Sequence, residues 1–301
     1  MTLNELRFIV AVAQQRNFRR AAEQCFISQP ALSLAIQKLE LELGVAIFER
    51  GKNDISVTPI GARIVEQAQL TLDAAQRLRE IAAQGNDPLI GALRIGIIYS
   101  AGPYLLPELI PALKKIAPLM PLEIEENITA NLELLLRNGK LDVIIIALPF
   151  GDNNIHTQAL YDEPFEVVVD KQHAWAARRS IKAHELAEER VLLLDSGHCF
   201  SNQVNEACPD LSHKNSAAQQ GTSLETIRNM VASGLGITVL PASANGARYR
   251  NRLLKIIPFA KPIPSRRIAL AWRKSFSRME AIDALTLAIS HSKLNNVKHL
   301  P

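Results

Sequence analysis

FRRAAEQCFISQPALSLAIQKLELELGVAIFER, residues 18–50, is the stretch on which the N-terminal fold turns. Asn17, just before it, suits the N-cap of a short helix through Phe18, Ala21, Ala22 and Cys25. Phe26-Ile27 breaks that helix, and Ser28 caps another from Gln29 to about Glu42. Pro30 is tolerated there because first-turn amides need no intrahelical partner. Gly44 stops the helix. Ala31, Leu32, Ala35, Ile36 and Leu39 fall on one side, and Gln29, Ser33, Gln37 and Lys38 on the other. Val45 to Phe48 and Ile55 to Thr58 read as two short strands around the polar turn Gly51-Lys52-Asn53-Asp54, a wing. Upstream, Thr2 and Glu5 form a capping box, and Leu3, Leu6, Val10 and Ala13 mark a helical face.

The pattern predicts a winged helix-turn-helix. Gln and Ser can hydrogen-bond base edges, and Lys can meet phosphate or guanine. Ser28, Gln29 and Pro30 put backbone amides where a phosphate would sit. Arg16, Arg19, Arg20, Arg50 and Lys52 would fix the module on the DNA backbone without reading sequence. On the residues alone, the polar face is open to either reading, a DNA contact or a solvated surface.

Working outward, Thr58-Pro59 caps a helix that runs to about Gln84. Ile64, Ala68, Thr71, Ala75, Leu78 and Ala82 recur three and four apart, a seam for a partner helix or for the helix's own domain. Gly85-Asn86-Asp87-Pro88 is the linker candidate. Beyond it the pattern changes. Strands are expected at Leu93 to Ile98, Leu122 to Glu125, Val143 to Ala147, Val191 to Leu194, Ile237 to Leu240 and Ile268 to Trp272. Helices are expected at Tyr104 to Ile116, Asn131 to Asn138, Ser223 to Ala232 and Phe276 to His291. That alternation argues a parallel sheet with crossover helices.

The chain has 301 residues, 48% hydrophobic and 21% charged, the balance of a globular protein with two or three folded units. A net charge of +4 is compatible with an anionic partner without requiring one. Met1-Thr2-Leu3-Asn4-Glu5 has no basic start, and no stretch approaches the ~20 apolar residues of a membrane span. A cytoplasmic protein with no membrane partner is expected. Three cysteines there do not make a structural disulfide framework, and no Cys/His spacing suggests a metal; no cofactor is expected.

The segment DSGHCFSNQVNEAC, residues 195–208, holds two of the three cysteines. His198 beside Cys199 can share a hydrogen-bond network that favours thiolate, the species that attacks peroxide. If residues 199 to 208 are helical, the thiols stand roughly 13.5 Å apart along the axis and on opposite sides. A disulfide needs Cα atoms within ~7 Å, so closing one would refold the segment. The residues alone leave two readings: a redox switch, or two inert cysteines.

Residues 18–50 resemble the LysR-type winged helix-turn-helix at Phe18, Ala21, Ala22, Ser28, Gln29, Pro30, Ser33, Ile36, Leu39, Glu40, Leu43, Gly44, Phe48 and Arg50. Cys25 stands where that family usually has Leu, and core packing suits it. TSLETIRNMVASGLGITVLP, residues 222–241, matches a second region of the family. The resemblance implies a mixed α+β and α/β protein. An N-terminal winged helix-turn-helix spans 1–60, and a long linker, dimerisation helix spans 58–85. A C-terminal two-lobed α/β regulatory domain resembling periplasmic binding proteins spans 90–301. Lobe I would take about 91–162 and 269–301, and lobe II about 163–268. Double-stranded DNA, RNA polymerase and a homodimer or homotetramer are the implied partners.

Within the family, DSGHCFSNQVNEAC, GPYLLPELIP (102–111), GKLDVIIIAL (139–148) and YDEP (161–164) resemble the peroxide-sensing members most closely. That resemblance implies that Cys199 is the peroxidatic thiol and Cys208 the resolving one. His198 would orient peroxide, Ser100 and Thr129 would supply hydroxyls near the peroxide, and Arg266 would favour the thiolate. Ser100 replaces the family's more common Thr. The expected activity is hydrogen peroxide sensing through a Cys199–Cys208 disulfide, reset by a thiol reductant system and controlling antioxidant genes; the protein is not expected to be an enzyme. The rivals are a regulator sensing a small metabolite between the lobes, a thiol peroxidase, and a solute-binding protein, which the missing export signal disfavours.

Overall fold

The computed structural model describes residues 1–50, 55–84, 87–151, 154–195, 197–211 and 220–300, with the side chains of residues 50, 79–84 and 220 excluded. The wing turn with Lys52, the Arg50 side chain and Ser196 therefore lie outside the described residues. The chain divides into two compact units, Met1–Asp87 and Pro88–Pro301.

In the first unit, α1 (Leu3–Gln15) starts at the predicted capping box: Thr2 Oγ1 accepts from the Glu5 amide and the Glu5 carboxylate accepts from the Thr2 amide. Asn17 caps α2 (Phe18–Gln24), and Ser28 caps α3 (Gln29–Leu43) by accepting from the Ala31 amide. Gly44 closes α3 at φ 70°, a left-handed conformation that suits glycine. The inward face of α3 is narrower than expected. Leu32, Ile36 and Leu39 are fully buried, while Ala31 is exposed and Ala35 half-buried. Only the i, i+4, i+7 row points squarely at the neighbouring helices. Likewise α1 buries Leu6 and Val10 with Ile9 and Val12, while Leu3 stays exposed.

The first wing strand is displaced from the expected Val45 to Phe48. β1 (Phe48–Arg50) pairs antiparallel with β2 (Ile55–Val57). The Glu40 carboxylate accepts from the Ile47 and Phe48 amides at 2.7 and 3.1 Å, and Thr58 Oγ1 donates to the Ala46 carbonyl. These side chains take the polar groups that a longer ladder would have used. α4 (Pro59–Gln84) follows. Ile64 and Ala68, the first half of the apolar seam, pack into the first unit's own core, whereas Thr71 and Leu78 are exposed. No helix among the described residues is long and apolar enough to cross a membrane.

The second unit is built on one ten-stranded sheet. β3 (Leu93–Ile98), α5 (Gly102–Ile116), β4 (Leu122–Asn127), α6 (Thr129–Arg137) and β5 (Val143–Ala147) form the expected alternation, with β3 parallel to β4 and β5. β6 (Ile155–Asp170), β7 (Val191–Leu194), α7 (Cys199–Ala207), β8 (Gln220–Gly221), α8 (Leu224–Ala232) and β9 (Ile237–Pro241) come next. β10 (Leu254–Pro258), β11 (Ser265–Arg273), α9 (Met279–Ser290) and β12 (Lys298–His299) complete the unit. The order is β4-β3-β5-β11-β6-β9-β7-β8, with β10 and β12 also pairing β6.

The expectation of a parallel sheet is corrected: the sheet is mixed. β11 runs antiparallel to β5 and β6, and β6 antiparallel to β9. β6, which sequence patterning missed, carries the chain from one hydrophobic core to the other, and β11 carries it back; two strands crossing in opposite directions must pair antiparallel. One core draws on residues 93–161 and 268–289, the other on 165–259 together with Tyr104. α9 begins three residues later than expected. The Arg278 guanidinium donates to the carbonyls of Pro88, Ile90, Gly91 and Ala92, which holds residues 276–278 out of the helix.

Candidate functional site

In the first unit, Arg19, Arg20, Ser28, Gln29, Pro30, Gln37 and Lys38 are exposed, and Ser33 is half-buried. Arg19 pairs with Glu23 at 3.3 Å, but both side chains are mostly solvated, so the pair restrains the guanidinium little. Phe26 is 95% exposed at φ 57°, in the turn between α2 and α3. Sequence reading marked it only as a break; its neighbour Ile27 packs into the core instead. Cys25 also packs against that core, and burial raises its thiol pKa.

In the second unit, Ser100, Thr129, His198 and Cys199 lie after a strand or at the start of a helix. Ser100 follows β3, Thr129 opens α6, and His198 is the N-cap of α7, whose first residue is Cys199. The Tyr99 and His198 rings lie 5.6 Å apart, and Ile128 packs 3.9 Å from where a side chain on Gly197 would begin. Arg266, on β11, donates through Nη1 to Ser100 Oγ at 2.6 Å and through Nη2 to the Ser100 carbonyl at 2.8 Å. Its guanidinium stands 5.0 Å over the Phe200 ring, next to Cys199. These contacts bring Ser100, Thr129, His198, Cys199 and Arg266 into one neighbourhood. Cys208 lies apart from it, as the C-cap of α7.

The positive end of α7 falls at Cys199, which favours an anion there. The Arg266 charge is already committed. Glu163, fully buried, accepts from Arg266 Nε at 2.8 Å and from the Ser243 amide at 2.9 Å. Among the described residues no hydrogen bond reaches the Cys199 sulfur, and Arg266 spends its donors on Glu163 and Ser100. Burial lowers the His198 pKa, against the pull of Asp195, and leaves a neutral imidazole near pH 7. Among the described residues Thr129 Oγ1 is buried without a hydrogen-bond partner, and Ser100 Oγ, accepting from Arg266, retains its own proton to donate.

The two thiols differ in setting. Cys199 is half-buried and packs against the first core. Cys208 is 1% exposed within the second core, and burial, aided by Asp210, pushes its pKa up to about 11. It is a neutral thiol and a poor nucleophile until it leaves that core. With α7 intact, nine residues of helix hold the sulfurs apart, beyond disulfide reach. Sequence reading missed Glu163, Phe200 and Tyr99. A buried arginine calls for a buried carboxylate, so Glu163, in the quoted YDEP run, was the partner available to find.

Residues 3–62 match the family model for bacterial regulatory helix-turn-helix proteins of the lysR family, and residues 86–291 match the LysR substrate binding domain. The chain belongs to the LysR family. Among its relatives is the DNA-binding transcriptional dual regulator OxyR of Escherichia coli strain K12, 38% identical over 289 residues, 96% of this chain and 95% of that one. A full-length Pseudomonas aeruginosa OxyR with cysteine replaced by aspartate superposes with a TM-score of 0.77 at 49% identity, covering 98% of this chain and 96% of the other. A Corynebacterium glutamicum OxyR with cysteine replaced by serine and hydrogen peroxide bound gives 0.65 at 35% identity, covering 96% and 91%.

Proposed function

We propose that the protein is a hydrogen peroxide-sensing, DNA-binding transcription regulator switched by a Cys199–Cys208 disulfide. The observation that carries this reading is the placement of two thiols at the two ends of one helix, each in a different core. The names of the full-length relatives point the same way.

Peroxide sits against Thr129 Oγ1 and Ser100 Oγ, with His198 alongside. The Cys199 thiolate attacks one peroxide oxygen, the O–O bond breaks, and the departing hydroxide takes a proton to become water. The Cys199 sulfenic acid is then attacked by the Cys208 thiolate. The S–O bond breaks, a second water leaves, and the disulfide forms. Overall, two thiols and one peroxide give one disulfide and two waters. Because Cys208 must leave the second core, α7 unwinds, and the two redox states hold two structures of the regulatory unit. A thiol reductant system returns the two electrons and resets the switch.

On DNA, Gln29, Ser33 and Gln37 face base edges, while Arg19, Arg20, Ser28, Pro30, Lys38, Arg50 and Lys52 meet the backbone. A homodimer or homotetramer, joined in part by the exposed half of the α4 seam, would set the spacing of two recognition helices. Contact with RNA polymerase would translate the switch into activation of antioxidant genes, in the cytoplasm.

The test is peptide mass spectrometry after one equivalent of hydrogen peroxide. A loss of two hydrogens mapped to a Cys199–Cys208 bridge within seconds supports the switch. Both thiols remaining reduced, with DNA binding intact, removes it and leaves a regulator that senses something else. Sustained peroxide turnover with excess thiol reductant would instead favour a thiol peroxidase.

A further inference from the structure

At the edge of the second core, β10, α8 and residues 245–252 line a half-open cavity of about 550 Å³. It shares no residue with the thiol site. Arg250, Arg252 and Lys255 line it, and none of its lining residues is acidic. All three are exposed, and none forms an ion pair with a described carboxylate. Three unpaired cations around one hollow repel one another unless an anion enters.

Two buried polar side chains also line it. Arg228 is 4% exposed; it donates through Nη1 to the Tyr249 carbonyl and through Nη2 to the Ala244 carbonyl, and its Nε lies 3.1 Å from Glu225 without hydrogen-bond geometry. Asn245, also 4% exposed, donates its amide to Glu166 at 2.9 Å, which fixes which end of the side chain is oxygen. The remaining atom, Oδ1, is buried and has no donor among the described residues. A buried acceptor is rarely left in that state. The cavity thus presents positive charge at its mouth, over a wall in which Arg228 and Asn245 are held by the surrounding structure.

We propose that this cavity binds a phosphate group, either inorganic phosphate or a small phosphomonoester. A phosphate near neutral pH carries about −1.5 to −2 charge, which matches several cations better than one carboxylate does. Arginine forks suit its oxygens. The site is independent of the peroxide reading, since no thiol takes part.

The experiment is isothermal titration calorimetry on the reduced full-length protein in a phosphate-free buffer at fixed ionic strength. Inorganic phosphate, glycerol phosphate and acetate are titrated separately. One saturable site with a dissociation constant of about 1 mM or tighter is expected for at least one phosphate, and none for acetate. Inorganic phosphate alone binding identifies the free ion; tighter glycerol phosphate binding identifies an ester. The double variant Arg250→Ala/Arg252→Ala, both at exposed positions, should weaken binding at least tenfold, and Lys255→Ala should weaken it separately, both with unchanged circular dichroism. Absence of saturable heat up to roughly 10 mM phosphate, equal binding of acetate, or unaltered affinity in both variants overturns the proposal.

Discussion

Replacing Glu163 by Gln tests whether the buried pair with Arg266 organises the thiol site. Glu163 and Arg266 have almost no exposed side-chain surface and meet at 2.8 Å. Gln keeps the size and can still accept from the Ser243 amide, but it removes the only carboxylate bonded to Arg266 among the described residues and turns an NH₂ group toward a guanidinium. Removing one member of such a pair costs about 3–5 kcal/mol because the other charge stays buried. For a unit of this length each kcal/mol moves Tm by about 2–4 °C, so Glu163→Gln should lower it by at least about 6–12 °C. The companion Glu163→Gln/Arg266→Met removes the stranded charge and should recover part of that loss, a coupling of about 1–3 kcal/mol. Thermal unfolding of the reduced proteins, followed by circular dichroism, measures both. A shift below about 2 °C for the single variant, or a double variant as unstable as the sum of the two single changes, would refute the reasoning.

Cys208→Ser should leave Cys199 able to form a sulfenic acid, trapped by dimedone, while abolishing the internal disulfide; no adduct at Cys199 would count against its role as the attacking thiol. The Cys208 thiol ionises near 9.0 when unfolded and about 11 when folded, so the unfolded chain loses its proton first. The stability of the protein should therefore fall between those pH values more steeply than that of Cys208→Ala, as read from Tm against pH. Gly236 has φ 154°, and an added Cβ would lie 2.4 Å from the Arg190 carbonyl oxygen; Gly236→Ala should cost about 1–3 kcal/mol in urea unfolding. Lys38→Ala should weaken DNA binding on all sequences and reduce the salt slope by about 1, whereas Gln37→Ala should relax preference at one base position by about 1–3 kcal/mol, both seen in binding titrations across salt and operator variants.

Much of the architecture was legible because it rests on local chemistry. Thr2, Asn17 and Ser28 cap their helices where the pattern places them, since a capping oxygen needs only amides two or three residues away. β5 and β7 keep their predicted bounds because short, wholly apolar runs of this kind are buried on both faces, and β3 keeps its own with Arg94 as its one charged residue. β6 was illegible for the converse reason. Its sixteen residues include Pro164 and several carboxylates, whose fitness for a strand depends on pairing with residues about a hundred positions later. The displaced wing strand has the same origin, because Glu40 claims the Ile47 and Phe48 amides from a neighbouring element.

The thiol site divides along that line. The sequence by itself determined the winged module, the family resemblance and the pair Cys199 and Cys208 with His198 between strand and helix. It also determined that helical residues between the thiols would hold them apart, because helix rise is a property of the backbone. Only the tertiary structure decided that Cys199 packs against one core while Cys208 is buried in the other, that Arg266 spends its charge on Glu163 and its donors on Ser100, and that Thr129 Oγ1 is left without a partner among the described residues. Burial and hydrogen-bond partnership belong to pairs of distant residues, and their costs exist only once folding has removed water from both.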